Sequence, residues 1–174
     1  MKNRYRPYFP LAFFFFTGIL TLSAQERENT PRNNWSVYVL GSIQFDNSRE
    51  DGWSKFGLGV QYNLPLAHHL DAFASLDYRR WDEFDIRLLP LYLGPAYRIK
   101  LSDKVNLSGA IGAGPQLAIG NDFSLFGAGV MGKAEFDWPL FSNIRMFAGP
   151  KLGQALLFHP SHFYYADLML GLRF

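Results

Sequence analysis

The segment "DLMLGLRF", residues 167 to 174, sets Leu168, Leu170, Leu172 and Phe174 on every second position, with Asp167, Met169, Gly171 and Arg173 between them. A β-strand points successive side chains to opposite faces. One face of this segment is therefore wholly apolar and closes on an aromatic, while the other carries an acid, a glycine and a base. Working back along the chain, the same period of two recurs almost without interruption from residue 35 onward, and no stretch sustains an amphipathic helical pattern.

The alternation predicts eight strands: Trp35–Asp46, Trp53–Leu64, Leu70–Trp81, Arg87–Ile99, Val105–Ile119, Ser124–Trp138, Ile144–Phe158 and His162–Phe174. Each is a little above the ~9–11 residues with which a tilted strand crosses a bilayer. The links "NSREDG", "PLAHH", "DEFDI", "KLSDK", "GNDF", "PLFSN" and "HPS" are short and turn-like. An even number of strands with short links fits an antiparallel up-and-down barrel, which leaves no unpaired edge in hydrocarbon. The expected fold is all-β, an eight-stranded transmembrane β-barrel over 35–174. Shorter merged strands in a water-soluble all-β domain are the alternative.

The faces give the reason for preferring the membrane. In the second strand Phe56, Leu58, Val60, Tyr62 and Leu64 share one side, and Lys55, Gly57, Gly59, Gln61 and Asn63 the other. In the sixth, Phe126, Val130, Phe136 and Trp138 oppose Gly127, Gly129, Lys133, Glu135 and Asp137. A polar face so rich in glycine and opposite charges suits a narrow interior better than a solvated surface. Aromatics gather at strand ends, as an interfacial girdle requires: Trp35, Tyr62, Tyr97, Trp138 and Phe174 at one rim, and Phe45, Trp53, Trp81, Phe84, Phe123, Phe158, Phe163 and Tyr164 at the other. Three Gly-Pro steps, Gly94-Pro95, Gly114-Pro115 and Gly149-Pro150, fall inside predicted strands. Proline cannot donate to a ladder, so the reading places each glycine in the lumen and each proline outside, at a bend that helps the sheet close.

Pairing across "PLFSN" predicts Asp137 beside Arg145, with Glu135 and Arg173 at a similar height. Lys133 and Lys151 are expected further along, among Asp77, Arg79 and Asp167.

At the other end of the sequence Lys2, Arg4 and Arg6 precede an apolar run from Phe9 to Leu22 and then "LSA". That order of basic, apolar and small residues reads as a signal peptide over 1–24, cut after Ala24, followed by a polar tether over 25–34. The run is too short for a spanning helix of ~20 residues. The chain carries 17 Lys+Arg against 15 Asp+Glu; removing the three basic residues of the signal leaves 14 against 15, a net charge of −1, so no nucleic-acid partner is expected. There is no cysteine, which excludes disulfides and thiol chemistry.

Taken with the signal sequence, the Gly-Pro steps and the closing "LMLGLRF", this pattern resembles the small outer-membrane barrel families, of the OmpA-transmembrane and OmpX type, with a flavour similar to barrel proteins of the Bacteroidetes. The resemblance implies residence in a Gram-negative outer membrane, contact with its lipids and lipopolysaccharide, and recognition of Leu168, Leu170, Leu172 and Phe174 by the barrel-assembly machinery. Among activities, a channel is disfavoured, because eight strands enclose about enough room for their own side chains. A structural or surface-interaction role is the main expectation, with "DNSREDGW" and "WDEFDI" as acidic, aromatic outer loops. An enzymatic alternative rests on His159 and Ser161 in "FHPSH", which resemble the His-x-Ser element of outer-membrane lipid A deacylases. Here His162 stands where that family has Asn, Pro160 stiffens the spacer, and the only acid downstream, Asp167, has lumen parity. His68 and His69 read as solvated turn residues. The sequence assigns no catalytic set, cofactor or metal.

Overall fold

The computed structural model describes residues 34–45, 52–81, 85–157 and 162–174. The expected signal segment 1–24, the expected tether up to residue 33, the expected loop segments 46–51 and 82–84, and His159 and Ser161 lie outside them. Eight strands follow in order: β1 Trp35–Phe45, β2 Gly52–Pro65, β3 Leu70–Trp81, β4 Ile86–Lys100, β5 Asn106–Ile119, β6 Ser124–Phe141, β7 Ile144–Leu157 and β8 His162–Arg173. Each pairs antiparallel with the next, and β8 returns to β1, from Ser36 opposite Arg173 to Phe45 opposite Tyr164, so the sheet closes on itself. The predicted strands are all present, with ends displaced by a residue or so. The largest difference is β6, which runs past Pro139 to Phe141 through a register shift, leaving only Ser142 and Asn143 to turn into β7.

The two ends of the described barrel meet. Trp35 N–H donates to Phe174 O (3.1 Å) and Phe174 N–H to Trp35 O (2.9 Å). This rim also carries the turns after β2, β4 and β6, and is called the terminal rim below.

The partition of side chains is inside out relative to a water-soluble sheet. Leu168, Ile111 and Leu152 are 68, 64 and 62 % exposed, whereas Arg79 and Lys151 are fully buried. Leu58, Val60, Phe126, Val130, Phe136 and Leu170 join the exposed apolar exterior. Such a continuous apolar outer surface has no favourable contact with water, and hydrocarbon removes that cost. Trp35, Tyr97 and Phe174 are exposed at the terminal rim, where Trp35 leans on Tyr62 with ring centres 4.9 Å apart. At the far rim Phe123 and Tyr164 are exposed.

The Gly-Pro steps take the predicted orientation and reveal a shared geometry. Each interrupts one ladder: Gly94-Pro95 and Gly114-Pro115 between β4 and β5, and Gly149-Pro150 between β6 and β7. At all three glycines a Cβ would fall on a carbonyl oxygen of the adjoining strand, that of Ile111, Leu91 and Ala134 respectively. The neighbouring backbone thus occupies the space a side chain would need.

Candidate functional site in the barrel lumen

The lumen is filled by side chains stacked in levels from the terminal rim upward. At the floor Asp137 binds Arg145 (2.6 Å), Arg173 (2.9 Å) and the amide of Asn106 (2.9 Å), while Asp71 binds Arg98 (3.0 Å). Just above, Glu135 takes Arg173 (2.6 Å), Lys133 and the Ser108 hydroxyl (3.3 Å), and Arg173 Nε donates to Ser36 (3.1 Å). At mid-height Asp77 accepts from the Tyr38 hydroxyl (2.5 Å), Lys151 and Arg79 (2.9 Å), and Arg79 also binds Asp167 (2.5 Å). The guanidinium of Arg79 then lies 4.3 Å from the ring centre of Tyr165, whose hydroxyl meets that of Tyr92. Gln116 completes this level by donating to Tyr92 (2.6 Å).

The ring order of the strands makes βn diametrically opposite βn+4, and three contacts cross the full diameter. Lys133 on β6 reaches Gln61 on β2, Lys151 on β7 reaches Asp77 on β3, and Tyr165 on β8 reaches Tyr92 on β4. Opposite walls touch at three heights. Dispersed between them are Leu88, Ala118 and Ala155 toward the far rim, Leu40, Met131 and Met169 midway along their strands, and Phe73 and Phe147 nearer the terminal rim, the Phe73 ring centre 5.2 Å from the Lys133 ammonium.

Among the described residues each lumen charge has a partner, and isolating one in a low-dielectric interior would cost several kcal/mol. Of the pairs expected from strand parity, Asp137 with Arg145, Glu135 with Arg173, Lys151 with Asp77, and Arg79 with Asp77 and Asp167 are present, whereas Lys133, expected further along with Lys151, pairs instead with Glu135, its neighbour two residues on along the same face. What the sequence reading missed is the aromatic content of the lumen. Tyr38, Phe73, Tyr92, Phe147 and Tyr165 point inward, and several lie over glycines: Tyr38 over Gly59, Tyr165 over Gly153 and Phe147 over Gly171. Cross-strand register sets each of these rings directly opposite its glycine. The signal was present, since Phe147 shares parity with Gly149 and Lys151, and Tyr165 with Asp167 and Met169.

The turns of the terminal rim are tied to one another. Arg98 N–H donates to His69 O (2.8 Å), and Arg145 Nη2 donates to Lys104 O (3.1 Å). In the β4–β5 turn a hydrogen bond from Lys100 holds the Asp103 carboxyl below its ordinary range, aided by the charge of that ammonium.

The enzymatic expectation gains no support from this geometry. Asp167 is buried on the lumen side and held by Arg79, so it is unavailable to a nucleophile–base pair on the lipid-facing surface. His159 and Ser161 lie outside the described residues.

No protein-family model matches the chain, and no curated protein matches it. The fold itself has close counterparts among solved structures. Neisserial surface protein A aligns with a TM-score of 0.70 at 11 % identity, over 80 % of this chain and 94 % of that one. The outer membrane enzyme PagL aligns with a TM-score of 0.59 at 12 % identity, over 78 and 97 %. The attachment invasion locus protein Ail of Yersinia pestis gives 0.57 at 18 % identity, over 80 and 95 %. The class is therefore the closed eight-stranded antiparallel β-barrel, in the form that small outer-membrane proteins share. At these identities the likeness is one of fold. It distinguishes no member and carries no activity across.

Proposed function

We propose that this chain is an integral outer-membrane barrel with a sealed lumen, acting as a structural or surface-interaction protein and not as a pore. The observation that carries this reading is the set of three diameter-spanning contacts, Lys133–Gln61, Lys151–Asp77 and Tyr165–Tyr92. They leave opposite walls in contact, so solute has no continuous path, and the apolar exterior supplies the face that lipid covers. In this reading residues 1–24 direct export and are removed after Ala24, residues 25–34 tether the barrel, and 35–174 insert. Leu168, Leu170, Leu172 and Phe174 then address the barrel-assembly machinery. The terminal rim faces the periplasm, and the far loops, with their acids and aromatics, face outward among lipopolysaccharide.

Membrane fractionation with surface proteolysis tests the placement. Protease added to intact cells should cut within 46–51 or 82–84 and spare the turns after β2, β4 and β6. Cleavage confined to the terminal rim would reverse the topology, and recovery of the chain in a soluble fraction would overturn the reading altogether.

A further inference from the structure

The turn between β2 and β3 holds His68 and His69, two exposed imidazoles at the terminal rim. His68 Nδ1 and His69 Nε2 lie 2.9 Å apart. Their ring centres are 4.2 Å apart and the planes are inclined at 81°. Two arrangements give values to set beside these. A straight imidazole–imidazole hydrogen bond of that length would set the ring centres about 5 Å apart, because each nitrogen sits about 1.2 Å from its own centre. Two imidazoles bound cis to one ion, with bonds of about 2.0–2.1 Å meeting at about 90°, give nitrogens about 2.9 Å apart and ring centres about 4.5 Å apart. The observed 4.2 Å is shorter than both and nearer the second, so the two nitrogens, which meet as a bent hydrogen bond, already stand at the separation that cis coordination requires.

A further contact orients one ring. His69 Nδ1 lies 3.0 Å from the carbonyl oxygen of Arg98. A carbonyl can only accept, so Nδ1 carries the hydrogen and Nε2 presents a lone pair toward His68. An outer ring nitrogen donating to a backbone carbonyl is how metal-bound imidazoles are held in place. The support is itself fixed: Arg98 returns a backbone hydrogen bond to His69, its guanidinium is anchored to Asp71 at 3.0 Å, and the Tyr97 ring lies 5.8 Å from that of His69.

We propose that His68 Nδ1 and His69 Nε2 form a bidentate site for one divalent transition-metal ion of tetragonal preference, Cu²⁺ or Ni²⁺. Water completes the coordination, since both rings are exposed and no cluster of three or more potential ligand side chains occurs among the described residues. Tetrahedral Zn²⁺ is a poorer match, because its angle would spread the nitrogens to about 3.4 Å at the same bond lengths.

The test titrates the folded mature barrel in detergent micelles with Cu²⁺ and with Ni²⁺, by calorimetry and, for copper, by electron paramagnetic resonance. One saturable equivalent is expected, with a copper spectrum showing coupling to two imidazole nitrogens. His68→Ala and His69→Ala should each weaken binding at least about tenfold, while replacing the other two histidines, His159 and His162, with alanine should leave it unchanged. Gel mobility of unheated samples in SDS confirms that each variant is folded, and these exposed turn positions make no lumen contact on which folding depends. Unchanged binding in either turn variant, coupling to a single nitrogen, loss on replacing His159 and His162, or no saturable binding in the parent protein would each overturn the assignment.

Discussion

A single carboxylate can decide whether the lumen holds. Asp77 is 1 % exposed and accepts from three groups on three strands: Tyr38, Arg79 and Lys151. Removing it leaves Lys151 with no carboxylate partner at that level and Arg79 with only Asp167. Breaking one side of a buried ion network costs about 3–5 kcal/mol, because the desolvated partner remains. Asp77→Ala should therefore lower the unfolding free energy by that amount, measured by reversible urea unfolding in lipid vesicles. The contrast is Asp103, whose pair with Lys100 stands in solvent in the β4–β5 turn; Asp103→Ala should unfold as the parent does. If the two variants behaved alike, the lumen network would not be a source of stability. Tyr38 shows why residue identity alone misleads. An aromatic invites assignment to an interfacial girdle, yet this one lies inside, over Gly59 and hydrogen-bonded to Asp77.

At the scale of the strand, what matters is whether neighbouring backbone leaves room. Gly149 faces the lumen in β7, and a methyl there would land on the Ala134 carbonyl and the Glu135 Cα, both backbone atoms that cannot swing aside. Gly109 on β5 faces outward with nothing within 4 Å. Gly149→Ala should destabilise the barrel by about 1–3 kcal/mol, as forced overpacking does, whereas Gly109→Ala should be neutral or slightly stabilising; the same urea unfolding measures both. β8 adds a test of assembly. Its outward residues Leu168 and Leu170 are exposed, while Met169 is fully buried in the lumen. Replacing Leu172 and Phe174 with serine should reduce insertion far more than replacing Met169 with leucine, read from the folded fraction in the outer membrane. Normal assembly of the double variant would refute the role given to the C-terminal strand. These elements were largely legible in advance, because a period of two fixes strand, face and pairing together: a slip of one residue in β8 would drive Leu168 inward and Asp167 into lipid. The strand ends were less so. Pro139 looks like a stop, yet β6 passes it through a register shift, since a proline beside a turn sacrifices little ladder. The His68–His69 geometry was not legible at all. It depends on a carbonyl 29 residues away.

For the whole molecule the question is whether closure depends on one plug or several. The contacts Lys133–Gln61, Lys151–Asp77 and Tyr165–Tyr92 join different pairs of opposite strands, at heights separated along the barrel axis. Only the lower two carry charge. The uppermost is a hydroxyl pair backed by Gln116 and the Arg79 guanidinium. If each level seals independently, opening the uppermost leaves the ionic levels beneath it intact, and the barrel still passes no solute. The purified protein in planar bilayers should therefore show no steady single-channel current, and the double variant Tyr92→Ala, Tyr165→Ala should show none either. That variant loses two buried aromatic side chains, so it should nonetheless be less stable by several kcal/mol, at about 3–5 for each large-to-small aromatic change in a packed core. Stability and conductance are thus expected to part company. A steady current from the parent protein would overturn the sealed lumen, and a current appearing only in the double variant would show that the tyrosine pair is the whole of the seal and that the ionic levels below it are permeable.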